Sequence, residues 1–446
     1  MTLFNASLNP TRRGIERMPW PRSTLRCAVL LLLAWTAGAA AESSLPSDFP
    51  WGDFDFKLRW RYEHVDDDLA PGGVPLKKAD ASTIRAVAGY RTGTFRGFSA
   101  YVQGEAVVVA GLADYFDGSG AGTQFATVVD PAGVELNEGY LAWESDRYGL
   151  RLRAGRQEIT YRAAPFHRFV GNVLWRQNWQ TFDAVSARAI PIRDLEAHYD
   201  YIWQVHRVFG YKAPEPISRW NSDSHLFTIQ YRGFKWAAFE TYAYLLDFSN
   251  SPRFSTDTFG IRADGSPALN DTWSALYALE YAHQTDADNN PADYAAYYLM
   301  AEGGFRVKLG EFLKSVTLKM SYEFFEGDGT PGGAFVSALG TNHPFQGWAD
   351  RFLTTPDNGL ADLYPTLVLE LPEGLKFLLN YHDFDSDAGS YDYGDELDVQ
   401  LTWDFLKNYQ IGAKAAFYDA DPGPQNATGP LAADVTKFWI WGQASF

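Results

Sequence analysis

Phe56-Lys57-Leu58-Arg59-Trp60-Arg61-Tyr62-Glu63 sets an apolar or aromatic side chain at every even position and a charged one at every odd position. Successive side chains of an extended strand point to opposite faces, so this stretch predicts a strand with one apolar and one hydrated face. The same alternation returns in Leu195–Gln204, Trp273–Ala282 and Glu396–Asp404. Weaker versions lie near 82–91, 97–108, 134–144, 149–158, 181–190, 224–232, 235–246, 293–302, 315–325, 374–382 and 408–418. The chain ends on Phe438-Trp439-Ile440-Trp441-Gly442-Gln443-Ala444-Ser445-Phe446, an amphipathic strand closing on an aromatic residue.

Between these stretches lie turn-rich connectors of two kinds. Asp66–Gly73, Asp286–Pro291 and Gly327–Gly333 are long and polar, whereas Arg232-Gly233-Phe234 is very short. Alternating short turns and long polar loops are the pattern of an outer-membrane barrel. Fifteen Trp, 25 Tyr and 31 Phe supply interfacial girdles, and the charges on the hydrated face could not sit unpaired in a sandwich core. No apolar run after Ala41 approaches the roughly 18 residues of a membrane helix. The expectation is an all-β protein, a transmembrane antiparallel β-barrel of 18 strands (range 16–18). It forms one domain over residues 42–446, with long extracellular loops and short periplasmic turns, integral to a bacterial outer membrane.

Residues 1–41 read as a signal peptide. Arg12, Arg13, Arg17, Arg22 and Arg26 precede the apolar Ala28–Trp35, and Ala37-Gly38-Ala39 or Ala39-Ala40-Ala41 offers a small-residue cleavage site. Cys27, the chain's single cysteine, falls inside this segment. That excludes a disulfide scaffold or a cysteine-ligated metal. A net charge of −17 argues against nucleic acid as a partner, because counterion release needs a basic surface.

Basic residues are nevertheless concentrated. Lys57 to Arg176 holds 15 Lys or Arg against 14 Asp or Glu, while 177 to the end holds 18 against 36. Strand parity places Lys57, Arg59 and Arg61 on one hydrated face, Thr83, Arg85 and Arg91 on another, and Arg151 and Arg153 with Gln157 on a third. Arg156 has the opposite parity and needs a bulge near Gly155 to turn inward. Arg168 and Arg176 fall in a loop that either folds into a constriction or caps the wall. Guanidinium forks bind carboxylates bidentately, and Glu63, Glu105 and Glu138 would hold such arginines extended and moderate their grip. The alternative is that these arginines pair with acids only to satisfy a crowded lumen. Trp175 and Trp179 are candidates for stacking on sugar rings or for a loop core.

The chain resembles the alginate-export family of outer-membrane porins. The resemblance is carried by Val129-Asp130-Pro131, Glu135-Leu136-Asn137, Gly155-Arg156-Gln157, Arg168-Phe169-Val170-Gly171-Asn172, Trp175-Arg176-Gln177-Asn178 and Gln180-Thr181-Phe182-Asp183. It continues in Asn342–Asp350, Asp357–Leu360, Asp362-Leu363-Tyr364 and Tyr381-His382-Asp383-Phe384. It implies an 18-stranded barrel that passes an anionic polysaccharide or oligosaccharide through an arginine-lined constriction. Residues Glu158–His167 and Trp179 depart from the family pattern and leave the sugar open. The partners then expected are outer-membrane lipid, the anionic saccharide and a periplasmic export or uptake protein, with the barrel monomeric and no cofactor. Uptake of other small anions or sugars is the nearest competing function.

Catalytic motifs are missing: no His-Glu-x-x-His, Gly-x-Ser-x-Gly or phosphate-binding Gly-x4-Gly-Lys occurs. A barrel-embedded hydrolase would need a dispersed Ser, His and carboxylate to converge. Asp383, Asp385 and Asp387 mimic the start of a calcium loop, but Ala388 and Gly394 stand where its glycine and glutamate belong. They are expected in an acidic extracellular loop.

Overall fold

The computed structural model describes residues 52–67, 76–162, 168–421 and 430–446, so the signal reading of 1–41 lies outside the described residues. These residues form 18 strands: β1 (Gly52–Asp67), β2 (Ala79–Thr92), β3 (Phe98–Asp114), β4 (Gly133–Ser145), β5 (Leu150–Gln157) and β6 (Thr181–Ile192). The middle set is β7 (Leu195–His206), β8 (Arg219–Tyr231), β9 (Ala238–Leu246), β10 (Thr256–Gly265), β11 (Trp273–Asp286) and β12 (Ala295–Lys308). The last set is β13 (Ser315–Phe325), β14 (Leu360–Glu370), β15 (Leu375–Asp385), β16 (Asp392–Phe405), β17 (Tyr409–Ala420) and β18 (Val435–Ser445). Each strand pairs antiparallel with its sequence neighbours, and β1 pairs with β18, so the sheet has no free edge. Closure satisfies every ladder hydrogen bond without water, which hydrocarbon requires. No helix among the described residues is long and apolar enough to cross a membrane.

Register confirms the two-faced reading of β1. Lys57, Arg59, Arg61 and Glu63 sit opposite Val87, Arg85, Thr83 and Ala81 on one side and opposite Ser445, Gln443, Trp441 and Trp439 on the other. All belong to the inward set. The outward set is apolar: Ile261 is 61% exposed and Leu279 58%, while inward Glu280 in the same wall is 2% exposed. An exposed apolar belt around buried charges is the inverse of a soluble protein and fits a lipid solvent outside the barrel.

Two strands escaped the sequence reading. β10 offers only Phe259 and Ile261 as bulky outward residues, and β14 carries Pro365, which reads as a breaker. In the barrel the β14–β15 ladder passes from Leu363↔Asp383 to Thr366↔Asn380 across that proline. The acidic run at 383–387 is also corrected. Asp383 and Asp385 end β15 as paired strand residues, leaving Asp387 in the loop.

Long connections all emerge at one end. Three of them are large: the β3–β4 loop (115–132), the β5–β6 loop (158–180) and the β13–β14 loop (326–359). Their side chains pack into the bore, where Phe169, Phe335, Trp348 and Phe352 join the inward aromatics Tyr298, Phe384, Trp439 and Trp441 in one buried cluster.

Candidate functional site: the loop collar and the basic wall

The described parts of the β5–β6 loop touch strands around most of the barrel. Tyr161 donates to Asp200 of β7 at 2.5 Å. Arg162 donates to Glu240 of β9 at 3.0 Å and to Glu280 of β11 at 2.8 Å. Arg168 pairs with Glu323 of β13, and its guanidinium lies 4.3 Å from the Phe345 ring centroid. Arg176 reaches Glu63 of β1 at 3.4 Å and Asp350 at 3.0 Å. Gln177 donates to Thr83 of β2 at 3.0 Å.

The β13–β14 loop covers the arc that remains. Backbone N–H groups of Trp348 and Ala349 donate to Asp398 at 3.2 Å and Glu396 at 2.7 Å. That approach depends on Gly347, which has φ +77° and where any Cβ would clash with the Glu396 carboxylate. His343 donates from Nδ1 to Asp350 (2.6 Å) and accepts at Nε2 from Lys414 (2.5 Å). Burial pulls the His343 pKa down to about 3 against the pull of Asp350, so the ring is neutral as those bonds require. Burial alone would raise Asp350, but His343, Lys437 and Arg176 hold its carboxyl well below the usual range. The two loops meet where Gly171 donates to the Leu339 carbonyl at 3.1 Å. Together they form a collar inside the wall.

This collar decides the fate of the arginines expected in the pore. Arg59 donates to Gln177 and to the Leu174 carbonyl, both at 2.9 Å. Arg61 is 1% exposed, bound by Asp130, Glu63 and the Trp175 carbonyl. Arg85 pairs with Glu105 at 2.7 Å and lies 3.6 Å from the centroid of Trp179. Arg61, Arg85, Arg168 and Arg176 are therefore buried braces and do not face an open passage, which corrects the expectation for these four. Glu63 and Glu105 are their counter-charges. Trp175 packs against His343, Trp439 and Trp441, the loop-core alternative for that residue.

Arg156 is a second correction. Gly155 takes φ +128° but stays in register with Tyr140 and Ala184, so no bulge turns Arg156 inward. It lies on the outward face, paired with Asp183 at 2.8 Å, and Asp183 also holds His206 at 2.9 Å.

Lys57, Arg151 and Arg153 do face the lumen. Lys57 and Arg153 have no ion pair among the described residues; their nearest ring contacts are Trp179 at 5.5 Å and Tyr140 at 5.0 Å. Arg151 stands opposite Arg188 across the β5–β6 ladder, at 3.8 Å from Glu144, while Arg188 binds Glu196 at 2.5 Å. Glu138 accepts from the Glu158 N–H at 3.3 Å, close to this group. Arg151, Arg153 and Arg188 border a cavity of about 170 Å³. A second cavity of about 490 Å³ is bordered by Arg162, Arg232, Lys235 and Arg262. Arg188, Arg232 and Arg262 were not singled out from sequence. Arg188 was within reach, since it lies in a recognised strand on the hydrated parity. Arg262 was not, because β10 itself was missed. No group of three His, Cys, Asp or Glu among the described residues is placed to hold a metal.

No family model matches the chain, and no curated protein matches it by sequence. Solved structures do. Acinetobacter baumannii OccAB4 is 13% identical with a TM-score of 0.66, covering 88% of this chain and 97% of that one. Pseudomonas aeruginosa OccK9 (OpdG) is 13% identical with a TM-score of 0.66, covering 89% and 98%. Pseudomonas aeruginosa OpdK, solved with vanillate, is 12% identical with a TM-score of 0.62, covering 88% and 98%. At such identities the likeness concerns the fold and carries no residue across. The chain is a closed 18-strand barrel like these outer-membrane porins, integral to the outer membrane.

Proposed function

We propose that this barrel is a passive outer-membrane channel for small anionic solutes bearing carboxylates. The observation that supports it most is the pair Lys57 and Arg153, two lumen-facing cations with no ion pair among the described residues in a chain of net charge −17. A lumenal cation that no carboxylate locks in an ion pair attracts anions, and the nearby charges of Glu138 and Glu158 keep its hold loose enough for them to leave, which conduction needs. The vanillate bound to the structurally similar OpdK is a carboxylate, in keeping with this class. Uronate oligosaccharides of the alginate kind, implied by the family resemblance, are the finer form of the same reading.

Planar bilayers provide the test. The purified protein should give discrete conductance steps with an anion-selective reversal potential in a KCl gradient, reduced in Lys57→Ala and Arg153→Ala. Unchanged selectivity in the double variant would remove the carboxylate reading and leave the channel. Block by alginate fragments, with none by neutral dextran of equal size, would support the uronate form.

A further inference from the structure

At the long-loop end of β7–β9 two arginines form no ion pair with any described carboxylate, in a chain with 55 acids. Arg207 directly follows β7, and Arg253 lies in the β9–β10 loop (247–255). Neither guanidinium has an ion pair or hydrogen bond among the described residues, and Arg207 Nε is buried without an acceptor.

Aromatic rings hold them instead. The Arg207 guanidinium carbon is 4.2 Å from the Trp220 centroid and 5.1 Å from Phe209. That of Arg253 is 4.6 Å from Phe254. Trp220 and Phe254 stack on each other at 4.9 Å and 22°. The two arginines are thus joined through a Trp–Phe pair drawn from β8 and the β9–β10 loop. A guanidinium lying over a ring keeps its N–H edge free, and that edge matches a planar carboxylate or a phosphate. Burial, then the nearby charge of Arg253, pull the Arg207 pKa down to about 10, with no acid opposing them. An anion seated between the two would relieve that repulsion.

The alternation of β7 says which side the group faces. Val205 pairs with Trp220, both buried within the barrel, and the Arg207 N–H continues the ladder to the Ser218 carbonyl at 2.9 Å. Arg207 therefore shares the inward parity of Val205 and looks toward the mouth, away from lipid.

We propose that Arg207 and Arg253 form an oxyanion-binding site at the outer mouth, taking the carboxylate or phosphate group of a small solute before it reaches the basic wall. The inference deepens the channel reading and rests on it only for the solute's onward passage.

Calorimetry on the detergent-purified full-length chain tests it, in a Lys57→Ala, Arg153→Ala background that removes the two wall cations assigned to the channel reading. Glucuronate should bind saturably, and inorganic phosphate should compete. Arg253→Glu, which supplies an internal carboxylate, and Arg207→Gln should each weaken binding at least tenfold. Lys212→Glu in the neighbouring β7–β8 loop should change it less than twofold. Should Arg207→Gln fail to fold, the exposed Arg253 decides alone. Undiminished affinity in Arg253→Glu, or binding of lipopolysaccharide vesicles with neither glucuronate nor phosphate bound, overturns the site. Because calorimetry needs no current, a protein that binds glucuronate yet does not conduct would sink the channel reading and leave this site standing.

Discussion

Arg61 and Arg153 share a parity, a lumen and a residue type, yet they do different work. Arg61 is sealed beneath the collar by Asp130, Glu63 and a backbone carbonyl, whereas Arg153 rests on Tyr140 with no acid partner among the described residues. The difference is what folds over them. The collar crosses β1 at Arg61, but at β5 it leaves a cavity of about 170 Å³ beside Arg153. Facing inward is thus a weaker statement than facing solute. An arginine becomes a brace wherever a loop supplies its acceptors, and stays a ligand where none arrives.

The largest effect expected of this contrast is in Arg176→Ala. It removes one cation shared by Glu63 and Asp350, which keep Arg61 and Lys437 as partners, so the loss is that of charged hydrogen bonds, about 1.5–3 kcal/mol. Denaturant titration should show the collar releasing before the barrel, and a single transition at the wild-type midpoint would break the brace assignment. Next in size, Arg153→Ala and Lys57→Ala should leave that titration unmoved. Each removes about 1 kcal/mol of attraction for a carboxylate at 4 Å, close to fivefold in anion preference, read from the reversal potential.

A third, graded effect comes with acid. The folded His343 pKa lies near 3, below its ordinary 6.5, so the undocked loop binds more protons over that range. Docking of the β13–β14 loop should therefore weaken as pH falls from 6.5 toward 3, with Asp350 adding its own loss at the low end. Hydrogen exchange at Trp348 and Ala349, corrected for intrinsic rates, should rise over this window and flatten in His343→Gln. The smallest effect belongs to Arg156→Ala. Its outward pair with Asp183 is worth less than about 1 kcal/mol, and selectivity should not change. A loss of anion preference in that variant would return Arg156 to the pore.

Much of this was legible beforehand. Sixteen of the strands show their alternation, and Lys57, Arg59, Arg61, Arg85, Arg151 and Arg153 fall on the face that parity assigns them. β10 and β14 were not legible, since one has few bulky outward residues and the other a proline. Asp130 and Asp350, the acids that seal the braces, stand in loops where no periodicity marks them.

What the order of residues determined alone is the barrel and its two faces. A pleated strand between lipid and water must repeat every two residues, and a local repeat can be read locally. Which lumenal cations remain open was decided only by the fold. Arg59 meets Gln177 from 118 positions away, and Arg351 meets Asp67 from 284. Contacts at such separations depend on the path of whole loops through the bore, and no local pattern encodes that path.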